Sequence, residues 1–336
     1  MPHPPAFWRQ DGPTLLPALL APLSAVTAGA TALRLRRRGW EAPIPVICVG
    51  NVTVGGAGKT TVALDLVRRL LARGRRVHVL LRGYGGRVRG PYWVRADESA
   101  ALVGDEALLY APLVPAWIGG DRRGSAQAAV AAGADVLVMD DGLQNPSLRK
   151  HLSLLVIDGG TGFGNARVLP AGPLREPVAA AASRCQAAVL IGADATGAVA
   201  HLPAALPVLH ATLVPGPQAA TLAGRRVLAF TGIAVPEKFF ASLTAIGSDI
   251  MGRRSFPDHH LYTADERDSL LAEADRLGAI PVTTAKDAAR LPAAMRGRMT
   301  VLEVALAWDD PAAPEALLDR VLSPPATHHP YEASHA

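Results

Sequence analysis

The chain contains few cysteines and few aromatic residues for its length. Only Cys48 and Cys185 occur among 336 residues, and aromatic side chains make up 5% of the composition. Two isolated cysteines exclude a disulfide framework and a CxxC metal site, and this usage favours a reducing cytosol. A basic region of the kind that opens a secretory signal is nearly absent from the first residues, so we expect no export.

The chain has ample apolar content instead. Hydrophobic residues make up 49% of it, which suffices for two packed α/β domains and excludes disorder for most of the length. The formal net charge of +5 favours an anionic partner. Arginine is the main basic residue, and Ala, Gly and Pro are abundant, a bias typical of GC-rich genomes. The net charge is therefore only weak evidence for an anionic partner. We expect no nucleic-acid partner and no obligate protein partner.

An uncharged stretch, residues 15–33, precedes a basic cluster formed by Arg34 and residues 36–38. The stretch is near the minimum length for crossing a bilayer, and Pro17 and Pro22 interrupt it. The pattern favours a helix lying in the membrane interface, with arginines that each gain on the order of 1 kcal/mol near anionic headgroups. A single spanning helix and a buried helix pair of a soluble domain are the alternatives.

A glycine-rich loop between residues 49 and 60 is the strongest chemical signal. An apolar strand is predicted over 44–50 and a helix over 61–71, so the glycines lie where a strand turns into a helix N-terminus. Such a loop directs backbone N–H groups at phosphate oxygens. The predicted ATP-binding residues are Gly55, Gly56, Ala57, Gly58, Lys59, Thr60 and Thr61.

Two side chains of this loop have predicted roles. Lys59 supplies a charge at the β- and γ-phosphates, and Thr60 offers its hydroxyl to Mg²⁺. Thr53 stands where the usual pattern has its first glycine. The plain alternative is a glycine-rich turn with an incidental lysine.

Carboxylates follow a second predicted strand, which ends at Met139. Ligands of parallel sheets bind at the carboxyl ends of the strands, beside the phosphate loop. We therefore predict Asp140 as a magnesium ligand, Asp141 as a group that positions water or an acceptor hydroxyl, and Gln144 as a contact to phosphate or sugar. A turn that merely closes the strand is the alternative.

Three loops carry weaker candidates. Arg82 and Tyr84 lie among glycines and suit a substrate-binding loop, or a simple hairpin connection. Arg175 and Glu176 lie in a proline-framed loop, where Arg175 could clamp an anion and Glu176 could bind Mg²⁺ or serve a structural role; a surface salt bridge is equally compatible. The sequence also contains adjacent histidines, His259 and His260, and a histidine oriented by an acid is a natural general base near neutral pH.

Gly104-Asp105-Glu106 precedes an apolar helical run. Asp105 is predicted either in the first turn of that helix, where it favours the helix dipole, or as a catalytic carboxylate that helps to deprotonate an alcohol.

Apolar β-rich runs alternate with alanine-rich helical segments, which indicates an α/β fold with a mostly parallel sheet, like that of P-loop NTPases. The runs recur at residues 46–50, 77–81, 136–139, 154–157 and 187–191, and a second series follows at 226–231, 279–284 and 299–304. A proline-scattered connector is predicted over 202–217. The predicted organisation is an N-terminal membrane-associating helical segment (1–40), a phosphate-loop kinase domain (41–221), a smaller α/β domain (222–322) and a tail (323–336).

Taken in order, these pieces resemble the tetraacyldisaccharide 4′-kinase (lipid A 4′-kinase) family. The matching strings are GNVTVGGAGKT, LLRGYGGR, VGDEALL, GGDRR, MDDGLQN, LPAGPLREP, FPDHH and TTAKDAARL. The resemblance covers nearly the whole chain. It implies two α/β domains and an N-terminal hydrophobic helix that docks peripherally on the cytoplasmic face of the inner membrane. It further implies transfer of the ATP γ-phosphoryl group, with Mg²⁺, to the 4′-hydroxyl of a tetraacylated disaccharide 1-phosphate.

The resemblance also implies catalytic roles. Asp105 would pair with His259 to form the base, with Lys59 and Asp141 completing the catalytic set. His259 is preferred to His260 because it directly follows Asp258. Asp105 and His259 come from different predicted domains, so the two domains must close to bring the pair together.

A different class of protein also fits the loop. A membrane-associated P-loop ATPase switch with no small-molecule acceptor has the same Gly-Gly-x-Gly-Lys-Thr form. Such switches usually carry a second lysine at the start of the loop, where this chain has Val54, and this disfavours the alternative.

Overall fold

The computed structural model of the chain describes residues 5–9 and 15–323. The tail predicted at 323–336 therefore lies outside the described residues except for Ser323. The strands are β1 Val46–Gly50, β2 Val77–Leu81, β3 Tyr92–Val94, β4 Ala116–Ile118, β5 Val136–Asp140, β6 Leu152–Asp158, β7 Ala187–Ile191, β8 Val208–Pro215, β9 Arg226–Thr231, β10 Asp249–Ser255, β11 Ile280–Thr284, β12 Thr300–Leu302 and β13 Val304–Trp308.

Helices connect most of these strands. They are α1 Leu15–Leu35, α2 Lys59–Ala72, α3 Ala100–Val103, α4 Asp105–Tyr110, α5 Arg122–Ala131, α6 Val178–Ala182, α7 Pro236–Ile246, α8 Ala264–Leu277, α9 Ala285–Ala289, α10 Ala293–Arg296 and α11 Ala312–Leu322, with short 3₁₀ turns at Ala6–Trp8, Ala198–His201 and Pro217–Thr221.

The large sheet has nine strands in the order β13-β8-β7-β6-β1-β5-β2-β4-β3. Its interior strands pair in parallel, and only the two edge strands, β13 and β3, pair antiparallel. Strands β1, β2, β5 and β7 are buried at every residue, because helices cover both faces of the sheet. This arrangement confirms the predicted α/β class and all five strands of the first predicted series.

Strand order sets the position of the site. β1 lies directly between β5 and β6, and Val49 is paired with Asp140. The loop that follows β1 and the carboxylates that end β5 therefore emerge side by side at the carboxyl edge of the sheet, where parallel folds bind ligands.

The second sheet is smaller and wholly parallel, in the order β10-β9-β11-β12. Helix α7 packs on one of its faces and α8 on the other. Helix α8 begins with a capping box, in which the Thr263 hydroxyl accepts the Glu266 N–H and the Glu266 carboxylate accepts the Thr263 N–H.

Two regions differ from expectation. The predicted connector at 202–217 contains strand β8, which pairs with β7 and β13. Strand β13 and helix α11 were expected in the smaller domain, yet β13 joins the large sheet and Leu317 and Leu318 pack into its core. The smaller sheet therefore ends at Leu302, and the division of the chain at residue 222 stays a prediction.

Helix α1 turns its apolar face to solvent and its opposite face to the protein. With about 3.6 residues per turn, side chains at intervals of three, four and seven share one face. The face turned to solvent is apolar, with side chains 57% to 85% exposed at Leu15, Leu19, Leu23, Val26 and Leu33, whereas the opposite face buries Pro17, Ser24 and Thr31. Among the described residues this is the one helix long and apolar enough to cross a membrane, and little of it is buried.

Ser24 anchors this helix to the body of the protein. Its hydroxyl donates to the Val168 carbonyl at 2.7 Å and accepts the Ala171 N–H at 3.1 Å. The buried face of α1 is therefore specified by hydrogen bonds to the 168–171 loop, and the apolar stripe is left free.

Candidate active site

The loop after β1 curls into α2 as predicted. Gly58 is the N-cap of α2 in the left-handed region, with φ of 81°, and Gly55 has φ of 114°. Lys59 Nζ donates to Asn51 Oδ1 at 3.0 Å and lies 3.6 Å from Asp141 Oδ1. The Val54 N–H donates to the Pro173 carbonyl, which ties the loop to the proline-framed segment.

Carboxylates ending β5 lie beside this loop. Asp140 is 2% exposed; its Oδ2 accepts the Tyr110 hydroxyl at 2.9 Å, and its Oδ1 is buried without a hydrogen-bond partner among the described residues. Burial, reinforced by Glu106 and opposed by Lys59, raises the pKa of Asp140 to about 6. The same Tyr110 hydroxyl is 3.4 Å from the Thr60 carbonyl, so Asp140 and Thr60 are neighbours.

This donor set fits magnesium. A buried, unpaired carboxylate oxygen next to the predicted Thr60 ligand is the kind of oxygen that Mg²⁺ binds. In the described part of the chain no three His, Cys, Asp or Glu side chains are grouped to hold a metal. The ion would therefore take its other ligands from ATP phosphates and water, as magnesium commonly does.

Asp141 is held by two cations. Arg175 Nη1 lies 2.8 Å and 3.0 Å from its two carboxylate oxygens, and Lys59 Nζ lies 3.6 Å from Oδ1. Burial would raise the pKa of Asp141, but the charges of Lys59 and Arg175 outweigh it and lower the pKa. Its backbone is in the left-handed region at φ 57°, an uncommon conformation for a residue other than glycine.

The remaining residues of the proline-framed loop are tied to the protein. Glu176 is 2% exposed, and both its oxygens lie 2.7 Å from Arg184 Nη2. Gln144 Nε2 donates to Glu176 Oε1 and to the Asn51 carbonyl, both at 2.9 Å. This geometry favours the structural role that the sequence left open for Glu176 over magnesium binding, and it places Gln144 behind the phosphate loop.

The structure brings Asp105 and His259 together across 154 positions of sequence. His259 Nδ1 lies 2.9 Å from Asp105 Oδ2, and since a carboxylate only accepts, Nδ1–H is the donor. That hydrogen bond raises the pKa of His259. Burial opposes ionisation of Asp105, but the bond from His259 and the charge of Arg290 hold the pKa of Asp105 well below its usual range.

The neighbouring histidine has a different partner. His260 Nε2 lies 2.9 Å from Glu266 Oε2, and its ring stacks on Phe256 with centroids 4.9 Å apart. His260 is therefore engaged with the N-terminus of α8. His259 instead has a left-handed backbone, φ 60°, and Tyr84 packs on its ring at 5.3 Å. The structure thus places Tyr84 at this site, and Arg82 is exposed at the end of β2.

Sequence reasoning missed Arg290. Its side chain is fully buried; Nε donates to Asp105 Oδ2 at 2.7 Å, and Nη1 donates to Asp287 Oδ1 at 3.0 Å and to the Gly232 carbonyl at 2.8 Å. Four residues earlier on α9, Lys286 donates to Glu106 at 3.0 Å. No spacing in the sequence links Arg290 to Asp105, which lies 185 positions away, so only the structure reveals the pair.

We call the four-stranded sheet with helices α7 to α10 the smaller unit, and the nine-stranded sheet with its helices the large unit. The smaller unit also lies close to the phosphate loop. A Cβ placed on Gly56 would lie 4.0 Å from Ala234 Cβ, and Lys238 forms an ion pair with Asp158 at the end of β6. Ala234 of the smaller unit therefore lies close to the loop.

A family model described as tetraacyldisaccharide-1-P 4′-kinase, LpxK, matches residues 16–323. The chain belongs to this family. It is 58% identical to the tetraacyldisaccharide 4′-kinase of Gluconacetobacter diazotrophicus, over 94% of this chain and 97% of that protein. It is 54% identical to the protein of the same name from Rhodospirillum centenum, over 95% and 96% of the two chains.

A solved structure agrees with the fold. LpxK from Aquifex aeolicus in complex with ATP superposes with a TM-score of 0.72 and 26% identity, covering 92% of this chain and 100% of that one. Family membership makes this chain an ATP-dependent kinase, with ATP and Mg²⁺ as its cofactors.

Gly58 gives a direct test of the phosphate loop. A Cβ at this position would meet Ile191 Cδ1 at 2.5 Å, in addition to the roughly 1–2 kcal/mol cost of a left-handed backbone. We expect Gly58→Ala to weaken ATP binding about tenfold or more, measured by calorimetry.

Gly74→Ala is the matched control. Gly74 has φ of 72°, but a Cβ added there would meet nothing within 4 Å, and the residue follows the far end of α2. It should carry the same backbone cost and leave ATP affinity unchanged. Equal ATP affinity in the Gly58→Ala variant and the unaltered enzyme would contradict the assignment of the loop.

Proposed function

We propose that the chain transfers the γ-phosphoryl group of MgATP to the 4′-hydroxyl of a tetraacyldisaccharide 1-phosphate, a step of lipid A biosynthesis. The observation that carries the proposal is the meeting of a phosphate loop, a buried carboxylate and an Asp–His pair at one sheet edge, in a chain of the 4′-kinase family. The family match favours this kinase over the ATPase switch, which needs no acceptor base.

Each group has a role that its surroundings support. Loop amides and Lys59 bind the β- and γ-phosphates, and the bound magnesium neutralises part of their charge. Asp105 holds His259 through Nδ1, which leaves Nε2 to accept the proton of the attacking hydroxyl. Asp141, fixed by Arg175, orients the acceptor near Lys59. Tyr84, which packs on His259, and the exposed Arg82 are suited to contact the sugar and its phosphate.

Transfer itself is the decisive measurement. Enzyme in detergent micelles should move label from γ-labelled ATP onto the disaccharide 1-phosphate, and an acceptor with a blocked 4′-hydroxyl should stay unlabelled. Because phosphoryl transfer depends on charge placement, Lys59→Ala should lower turnover on the order of a thousandfold. ATP hydrolysis that is indifferent to acceptor would favour the ATPase switch instead.

The pH profile tests the base. A base must be neutral to accept a proton, so kcat/KM should fall about tenfold per pH unit below the pKa of His259, which lies above its ordinary value of about 6.5. In Asp105→Asn this acid limb should move to lower pH, because the stabilising carboxylate is lost.

Adjacent histidines provide the control. We expect His259→Ala to lower kcat on the order of a hundredfold or more, with ATP affinity retained, since a base acts on the acceptor. His260→Ala should keep most of the rate. If His260→Ala is the damaging change, the assignment of the base is wrong.

The proposed location is the cytoplasmic face of the inner membrane, bound peripherally. The apolar exposed stripe of α1 and the arginines that follow it support this location, because such a helix is stable where apolar chains meet anionic headgroups. ATP is available on that face, and a lipid acceptor remains in the bilayer.

Vesicle binding tests this location. We expect the enzyme to sediment with phosphatidylglycerol vesicles more than with phosphatidylcholine vesicles, and the double change Leu19→Asp, Leu23→Asp to reduce that binding about tenfold or more. Leu113→Asp, the same change at an exposed leucine outside α1, should bind normally. Unchanged binding of the double variant would contradict the proposal, and resistance of the enzyme to alkaline extraction would indicate a spanning helix instead.

A further inference from the structure

Helix α4 carries site residues at both of its ends. Asp105 and Glu106 lie in its first turn and pair with His259 and Lys286 of the smaller unit. Its last residue, Tyr110, is completely buried in the large unit. The phenol oxygen of Tyr110 lies 2.9 Å from Asp140 Oδ2 and 3.4 Å from the Thr60 carbonyl.

This contact makes the two oxygens of Asp140 unequal. Oδ2 accepts the Tyr110 hydroxyl, whereas Oδ1 is buried and has no hydrogen-bond partner in the described ranges 5–9 and 15–323. A carboxylate can rotate about its last bond, and the Tyr110 hydrogen bond fixes its plane, so that one oxygen is engaged and the other is directed away from Tyr110. Oδ1 is thus kept available for a cation.

The complete burial of Tyr110 indicates that its hydroxyl does more than fill space. A buried tyrosine stabilises a protein only where its O–H finds a partner, and phenylalanine would fill nearly the same volume without that requirement. The phenol has one hydrogen to donate, and the shorter distance assigns it to the predicted magnesium ligand Asp140. The carbonyl of the other predicted ligand, Thr60, lies 3.4 Å from the same oxygen.

We propose that Tyr110 is a positioning residue that fixes the Asp140 carboxylate for the divalent ion that accompanies ATP. The inference rests on the proposed function, because it assumes that the ion binds with ATP at this edge of the sheet. Groups that hold a metal ligand in orientation commonly alter metal affinity by about 10- to 100-fold when they are removed.

Tyr110→Phe tests the inference, with Mn²⁺ as a spectroscopic probe. Mn²⁺ affinity is measured by electron paramagnetic resonance in the presence of a non-hydrolysable ATP analogue, and analogue affinity is measured separately in excess chelator. We expect Mn²⁺ affinity to fall about tenfold or more in the variant. Analogue affinity without metal should stay close to that of the unaltered enzyme, because the ring and its packing remain, whereas the melting temperature should fall modestly, because Asp140 Oδ2 loses its buried partner.

Tyr92→Phe is the matched control. The Tyr92 hydroxyl also donates to a carboxylate, that of Glu98, but on edge strand β3. The Tyr92→Phe variant should bind Mn²⁺ with the affinity of the unaltered enzyme.

Two results would overturn the inference. One is Mn²⁺ affinity in Tyr110→Phe equal to that of the unaltered enzyme. The other is an equal loss of analogue affinity with and without metal, which would assign Tyr110 to the stability of α2. If the unaltered enzyme does not bind the ATP analogue, the proposed function is wrong. If the unaltered enzyme transfers phosphate normally and Tyr110→Phe gives either of the two results above, only the Tyr110 inference is wrong.

Discussion

One buried carboxylate, that of Asp105, joins the two units of this protein. It is 4% exposed and is bonded by His259 and Arg290, both from the smaller unit, and the Arg290 side chain is fully buried. Leaving either charge without its partner costs roughly 3–5 kcal/mol, far more than an exposed ion pair contributes. The smaller unit is thereby held against the first turn of helix α4, which begins with Asp105. The position of His259 and the contact between the units therefore depend on the same interaction.

Much of the fold could be predicted because its signals are local. The five strands of the first series are continuous apolar runs, and each is buried on both faces, so no long-range information is needed to find them. The phosphate loop is likewise encoded by glycines at positions that require left-handed backbone, Gly55 and Gly58. Once β1 and β5 are recognised as parallel, the closeness of Asp140 to Lys59 follows from their shared edge.

Other features escaped prediction because they depend on pairing between distant segments. Strand β8 is flanked by prolines and mostly exposed, so it lacks the apolar run that marks its neighbours. Strand β13 belongs to the large sheet because it pairs with β8, which lies about 90 positions earlier in the chain. The side chains of Tyr110 and Arg290 look like ordinary helix residues until their partners are known. The pairing of Asp105 with His259 came from family resemblance and not from spacing.

Helix α1 is hydrogen-bonded to the body of the protein as well as exposing an apolar stripe. Ser24 satisfies the buried N–H of Ala171 and the carbonyl of Val168, in the segment that leads directly to Arg175. Deleting the helix to obtain a more soluble enzyme would leave those backbone groups without partners beneath the loop that fixes Asp141. Truncation for crystallisation or screening would thus disturb the segment that leads to Arg175 as well as remove the exposed apolar stripe, and a preparation that keeps α1 in amphiphile preserves both.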